Sequence, residues 1–506
     1  MSGAVVNDAG IRSYENWHRN YDVPLRRVLD VWNGDPQRST LPGYSDTTAA
    51  IQRLLGESLA LDEQFRAAGG GWSFSKAAVT EGTLINTRPL NYKFQLADSA
   101  VSARFTGDRG NLYFVQCGNS IAELNWYLFD RGRSLPTTGA SNGQTIVGAM
   151  STNTHGAALG VGAVCDFVVA LHVIVSPSRH VWLERSSNPV VQDSRLPGRI
   201  GAEVIRDDAL FDAALVSFGS FGFVHGVVIE VSDRYFLNAF RRTIPLDDRL
   251  RATLDDLDFS RLDMPRPGDR PYHFQVIVNP FKPRQASVTT MYSDTAMPAG
   301  ASLPDPPSKL TQGDDALGIV GVLTDVFGDI TPALSRGLMS LGYADFENKA
   351  GTPGQIFRDT TTRGRASSTA LAIPLDRVSE TLDAVIRLHE EVQAPVVLAC
   401  RYVKSTPATL GFTSFGDRCC VFEVDGPSSA AVRTMHNRTW ALLRSLDIPF
   451  RFHWGKLHDL SADTVRSAYG QERIDAWMTA RRRLLDTPEL RRAFANEVLV
   501  HMQLHT

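Results

Sequence analysis

Hydrophobic residues recur along this chain in alternating short runs and helix-period stretches. Phe167–Val175 (FVVALHVIV) is a β-branched run with the pattern of a buried strand, and His180–Glu184 (HVWLE) reads as its hairpin partner. Leu84–Asn86, Leu112–Gly118 and Gly226–Val231 have the same strand character. Ser45-Asp46 caps a helix through Leu55, and Phe65–Ala68 leads into a glycine turn. Ser120 caps a helix over Ile121–Arg131 that Gly132 ends, and Asp208–Phe218 is a further helix. Residues 1–45 read as an irregular lead-in with two short helical pieces. After Arg234, Pro-rich connections at 263–271 and 303–307 separate isolated strands, including 272–279 and 395–403, with helices at 375–393 and 430–446. That order predicts a second α+β domain with an antiparallel sheet. From Phe450 the chain is helix-rich and charged.

Two segments break this texture. Arg66–Ser75 contains Gly69-Gly70-Gly71-Trp72-Ser73, and residues 135–162 (LPTTGASNGQTIVGAMSTNTHGAALGVG) carry almost no charge and no long side chain. Backbone so poor in bulk can press against a large ligand and offer it N–H groups and hydroxyls. The first segment is not a P-loop, since no Gly-Lys-Ser/Thr follows, and it lacks the GxGxxG order. Together they point to an extended, phosphate-bearing cofactor held largely by main chain.

Composition narrows the partners. A net charge of −3 gives no electrostatic case for nucleic acid. Arg481-Arg482-Arg483 reads as a solvated helix face. No apolar run approaches the ~20 residues of a membrane span, and the first residues lack a secretory pattern. Five cysteines without metal-ligand spacing fit a reducing cytoplasm, no disulfide and no metal.

The motifs then converge. GGGWS at 69–73, Pro136-Thr137-Thr138-Gly139-Ala140-Ser141, Gln144 through Gly148 to Ser151-Thr152, and His155-Gly156 resemble the FAD-binding domain of the vanillyl-alcohol oxidase/p-cresol methylhydroxylase flavoproteins. Phe218–Val227 is similar to that domain's third stretch, and His453-Trp454-Gly455-Lys456 resembles the HWxK signature of the sugar-lactone and alditol oxidases. The resemblance implies an α+β, two-domain FAD-linked oxidase fold: a lead-in to 45, an FAD domain over 46–240, a substrate domain over 241–445, and a segment 446–506 that returns to the FAD domain. It implies that Gly69 to Ser73, Ser141, Ser151 and Thr152 surround the diphosphate and ring, with Pro136, Thr137, Gly139, Ala140, Gln144, Gly148, His155 and Gly156 in the same pocket. Val227 would lie near the adenine through its backbone.

One departure bears on attachment. Many relatives bond their flavin to a His where this chain has Trp72, and indole has no nucleophilic nitrogen. Residues 135–162 also lack the cysteine of doubly linked relatives. Dissociable FAD is therefore expected. A second departure bears on substrate. The Glu-x-Arg of lactone and alditol oxidases appears here as Ala399-Cys400-Arg401. Without that carboxylate a less polar alcohol, as in type II cholesterol oxidases, becomes the expectation.

Arg401 on its apolar strand needs an anionic partner, either a ligand or Glu423 on the next strand. Lys456 would offset charge near the flavin or a substrate oxygen. His453 is a base or a packed ring, and His155 a pocket wall. His273, Gln275, Ile277 and Asn279 share one strand face that could line a substrate pocket. The expected activity is FAD-dependent removal of a hydride from a CH–OH carbon of a small-molecule alcohol, sugar lactone or sterol-like substrate, with O2 or another acceptor reoxidising the flavin. The alternatives are oxidative cyclisation, an NADPH-oxidising nucleotide-sugar or peptidoglycan-precursor enzyme, and a catalytically silent flavin carrier.

Overall fold

Three main sheets succeed one another along the chain in this computed structural model, which describes residues 3–34, 40–282, 284–303, 343–357 and 365–506. In the first, Val5–Asp8 pairs antiparallel with Arg27–Trp32, which lies parallel to Thr83–Asn86, which in turn lies parallel to Phe65–Ala68. The expected helical lead-in is corrected here. Its residues form strands, because Leu29 and Val31 bury into the same core as Phe65 and Ile85 while Val28 buries on the other face with Ala68 and Leu84. The helix expected from Ser45 runs over Thr40–Ala60, so Ser45 lies inside it rather than at its cap. Pro42 is tolerated in the first turn, where its missing N–H has no intrahelical partner to lose.

The second sheet has the order Glu203–Arg206, His180–Glu184, Val168–Ile174, Phe223–Glu230, Leu112–Gln116, Lys93–Gln95. The expected hairpin is present, in register from Ala170 opposite Glu184 to Ile174 opposite His180. Ser120 caps Ile121–Phe129, with Glu123 closing a capping box.

The third sheet is eight-stranded and antiparallel, beginning at Phe236. Its centre carries His273–Val278, Val397–Lys404, Arg418–Pro427 and Ala366–Pro374 side by side. The helices Val378–Val392 and Ala430–Ser445 pack on each other. Part of the Pro-rich connection 303–307 lies outside the described residues. The small-residue segment is stitched to this sheet: the Leu159 amide donates to Tyr272 O at 2.8 Å and the Phe274 amide to Ala157 O at 3.1 Å.

The last helices return to the first half of the chain. Trp477 Nε1 donates to Val216 O at 3.0 Å, and Asn496 Nδ2 to Ala77 O at 3.0 Å. Arg481 corrects the expectation of a solvated face. It is fully buried and donates to the carbonyls of Ser220, His505 and Arg491 at 3.0, 2.6 and 2.6 Å. Arg482 and Arg483 remain exposed. All five cysteines are buried and free.

Candidate active site

The two glycine-rich elements touch each other. A Cβ on Gly69 would fall 2.1 Å from Thr145 Oγ1, and one on Gly70 would fall 2.2 Å from Gly143 O. Gly71 has φ +70°, a conformation L side chains rarely adopt. The bend after Phe65–Ala68 thus lies backbone-to-backbone on the second element, which only glycine allows. Thr145 accepts the Gly148 amide at 3.3 Å and opens the short helix Ile146–Ser151.

Between these elements and the third sheet lies a cavity enclosing about 1410 Å³, part of it open to solvent. Gly69, Gly70, Gly71, Trp72 and Ser73 line it. So do Gly139, Ala140, Ser141 and Gln144 from the second element, and Gly148, Ser151, Thr152 and His155 beyond them. Arg401, His453 and Lys456 reach the same space from the far side. Pro136, Thr137 and Gly156 stand just behind the wall. Pro136 O accepts the hydroxyls of Tyr235 and Tyr272, and the Thr137 hydroxyl turns to Thr138 O at 3.4 Å.

Val227 is not among the cavity-lining residues: it sits in mid-sheet opposite Val115 and Leu171, and Val224 on the same strand borders the cavity. Sequence reasoning also missed Tyr14, His18 and Phe494, which enter from the chain's two ends. No local signal marks them, since tertiary contacts alone bring them there. Phe218 and Gly219 also line the cavity, and their glycine-rich turn was already visible in the third stretch.

Trp72 fills its position by stacking. Its ring lies 5.4 Å from Trp17 at 15° and meets His18 edge-on at 5.3 Å. The HWGK turn is tied to the same bend: the Phe74 amide donates to Gly455 O at 2.7 Å and Ser75 Oγ to Trp454 O at 2.6 Å.

Glu423 supplies the carboxylate missing at 399. It lies directly opposite Ala399 on one neighbouring strand and Ala370 on the other, and it lines the cavity. Its Oε2 is 3.1 Å from an Arg401 guanidinium nitrogen, with both groups almost wholly buried. The small alanines on either side leave room for this pair. Two residues along the same strand face, Asp425 accepts from Ser368 Oγ, and Ser368 Oγ receives Lys456 Nζ at 2.6 Å. Lys456 Nζ also sits 5.2 Å over the Phe74 ring. One strand therefore carries two acidic residues, each holding one of the cavity's cations in place.

Burial holds His155, His453 and nearby His273 neutral near pH 7. Burial lowers His155 to about 4, against an opposing pull from Glu423. Burial, then the neighbouring His155, drive His453 well below its ordinary value. His273 is lowered to about 3 by burial and then by Arg401.

Residues 44–184 match the family model described as FAD binding domain. The chain carries an FAD binding domain. Over 429 residues it is 23% identical to L-gulono-1,4-lactone dehydrogenase of Mycobacterium tuberculosis, covering 84% of this chain and 88% of that protein. It is also 23% identical to D-arabinono-1,4-lactone oxidase of Debaryomyces hansenii over 209 residues, 40% of this chain and 34% of that one. A variant of the cholesterol oxidase from Brevibacterium sterolicum has the same fold, with TM-score 0.70, 16% identity, and 99% and 97% of the two chains covered. A solvent-stable cholesterol oxidase matches at TM-score 0.71 and 13% identity, over 99% and 98%. The FAD binding domain includes both glycine-rich elements, and its cavity suits the cofactor. Added Cβ atoms would collide there, and the buried Oε1 of Gln144 has no hydrogen-bond partner among the described residues.

Proposed function

We propose that this chain is an FAD-dependent oxidoreductase that oxidises a CH–OH carbon of a small-molecule alcohol, sugar lactone or sterol-like substrate, with O2 or another acceptor completing the cycle. The observation that carries this reading is one cavity in which glycine backbone and charged chemistry meet. The bends at Gly69–Ser73 and 139–152 line one side, and Arg401, Glu423 and Lys456 the other. The amides of Gly69 to Ser73, with Ser141, Ser151 and Thr152, would hold the pyrophosphate and ring, and Gln144 would take a ligand donor on its bare oxygen. When bound, FAD supplies the two-electron acceptor. Lys456, fixed through Ser368, places positive charge where negative charge develops. Arg401, fixed by Glu423, orients the substrate oxygen.

The cofactor is proposed to be dissociable, because the indole at Trp72 cannot form the covalent bond. Purified protein should show flavin absorption, and acid precipitation should leave the colour in the supernatant. Anaerobic mixing with aldonolactones, alditols and sterols should bleach it. A protein that binds FAD and is reduced by dithionite but by no alcohol would be the silent carrier instead. A colourless protein that refuses FAD would sink the reading altogether.

A further inference from the structure

Two hydrogen-bond acceptors face each other in the cavity wall with no proton between them. His155 Nδ1 lies 2.9 Å from the carbonyl oxygen of Gly156. A carbonyl only accepts, so Nδ1 carries the ring proton. Burial keeps the ring neutral near pH 7, so Nε2 presents a bare lone pair. That nitrogen is 3.9 Å from Glu423 Oε1, and a carboxylate paired with the Arg401 guanidinium offers acceptors there. The separation exceeds hydrogen-bond range, so the gap suits donors that the protein does not provide. His453 is the contrast. Its Nδ1 accepts the Gly455 amide at 2.9 Å, which leaves its proton on Nε2 and makes it a donor there.

We propose that His155 and Glu423 form an acceptor pair that selects substrates with two neighbouring hydroxyls, the polyhydroxylated class that includes sugar lactones. His155 Nε2 takes the proton of the hydroxyl being oxidised. The inference rests on the oxidoreductase reading above. In the step, the carbinol O–H bond breaks and its proton moves to Nε2. The C–H bond breaks with its electron pair leaving as hydride to oxidised flavin, and the carbinol C–O bond becomes C=O. Glu423 accepts the hydrogen bond of the adjacent hydroxyl and balances the imidazolium that forms. The groups facing His155 are Glu423, Arg401, Lys456 and the neutral ring of His453, 5.7 Å away. Of these only Glu423 favours the protonated ring. The expectation of a less polar substrate, drawn from the alanine at 399, is thereby reversed. A sterol's single hydroxyl fills one acceptor and leaves the other buried and bare.

The test uses the FAD-loaded full chain. Nitrogen-15 spectra at pH 7, with His155 assigned through His155→Gln, should show Nε2 unprotonated. Stopped-flow reduction is then compared among an aldonolactone, the same lactone lacking one neighbouring hydroxyl, and cholesterol. The deoxy compound and the sterol should react about 10²-fold more slowly than the aldonolactone, or worse. Glu423→Gln should slow the aldonolactone by ~10²-fold, with the bound-flavin spectrum and dithionite reduction unchanged. A protonated Nε2, faster reduction by cholesterol, or a Glu423→Gln protein that matches the parent would each overturn the inference. If Glu423→Gln fails to bind FAD, the nitrogen spectrum and the deoxy comparison decide it without a variant. Failure of every alcohol to reduce the parent holoenzyme would defeat the oxidoreductase reading and this inference together.

Discussion

The indole of Trp72 lies so close over Gly143 that a Cβ at 143 would fall 2.4 Å from Nε1 and 2.6 Å from two further ring carbons. The two glycine-rich elements are thus fitted around a tryptophan rather than around one another alone. Gly143→Ala forces either the ring or the loop to move. Overpacking of this kind costs about 1–3 kcal/mol. Urea unfolding should report that loss, and FAD titration a weaker affinity, because the same loop borders the cavity. An unchanged Kd and midpoint would refute the fit described here.

Trp72 itself should act through its stack with Trp17. Trp72→Ala is expected to lose roughly 2 kcal/mol, part burial and part ring–ring contact. Trp72→Phe should keep most of it. Equal losses in the two variants would show that the stack contributes little.

Lys456→Met retains the side chain's bulk while removing its charge near the cavity. The midpoint potential of bound flavin should fall, and substrate reduction should slow by ~10²-fold. Ser368→Ala, which frees Lys456 from its anchor, should move both quantities in the same direction by less. A potential unmoved by Lys456→Met would place the ammonium away from the ring.

Arg481 and Arg482 offer a paired test of burial. Arg481→Met strands the carbonyls of Ser220, His505 and Arg491, which should cost on the order of 3 kcal/mol. Arg482→Met, on the exposed face, should stay within about 0.5 kcal/mol. Thermal unfolding of both separates a buried clasp from a solvated charge run.

Acid should weaken the fold. Burial lowers His225 to about 3 and His436 and His155 to about 4, all below the ordinary histidine value. As pH drops below ~6.5 the unfolded chain takes up protons that the folded chain refuses, so stability falls until the pH reaches the folded values. Each such histidine contributes roughly 1.4 kcal/mol per pH unit in that window. Asp166, pushed up to about 6 by burial, works in the opposite direction below pH 6, as do Glu184 and Asp212, which burial also raises, but the lowered histidines outnumber them. His436→Gln should reduce the slope measured by urea unfolding between pH 6.5 and pH 4. A slope that does not change would show that His436 titrates normally.

Local sequence determined the elements whose patterns are self-sufficient. The β-branched run at 168–174 and its partner at 180–184, the Ser120 capping box, and the glycine bends at 69–71 each answer to nearby side chains or to backbone geometry, so they were legible without a fold. The lead-in was not, because Val28, Leu29 and Val31 become a strand only once Thr83–Asn86 lies beside them. Arg481 read as a surface charge because nothing within the helix tells which carbonyls it will meet. The alanine at 399 suggested an apolar site, yet Glu423 stands opposite it across the ladder and restores the carboxylate. Neighbouring strands already offered Glu423 as the partner of Arg401, but the approach of His155 to that pair depends on how the small-residue segment packs on the whole sheet, and so only the tertiary structure could bring the three together.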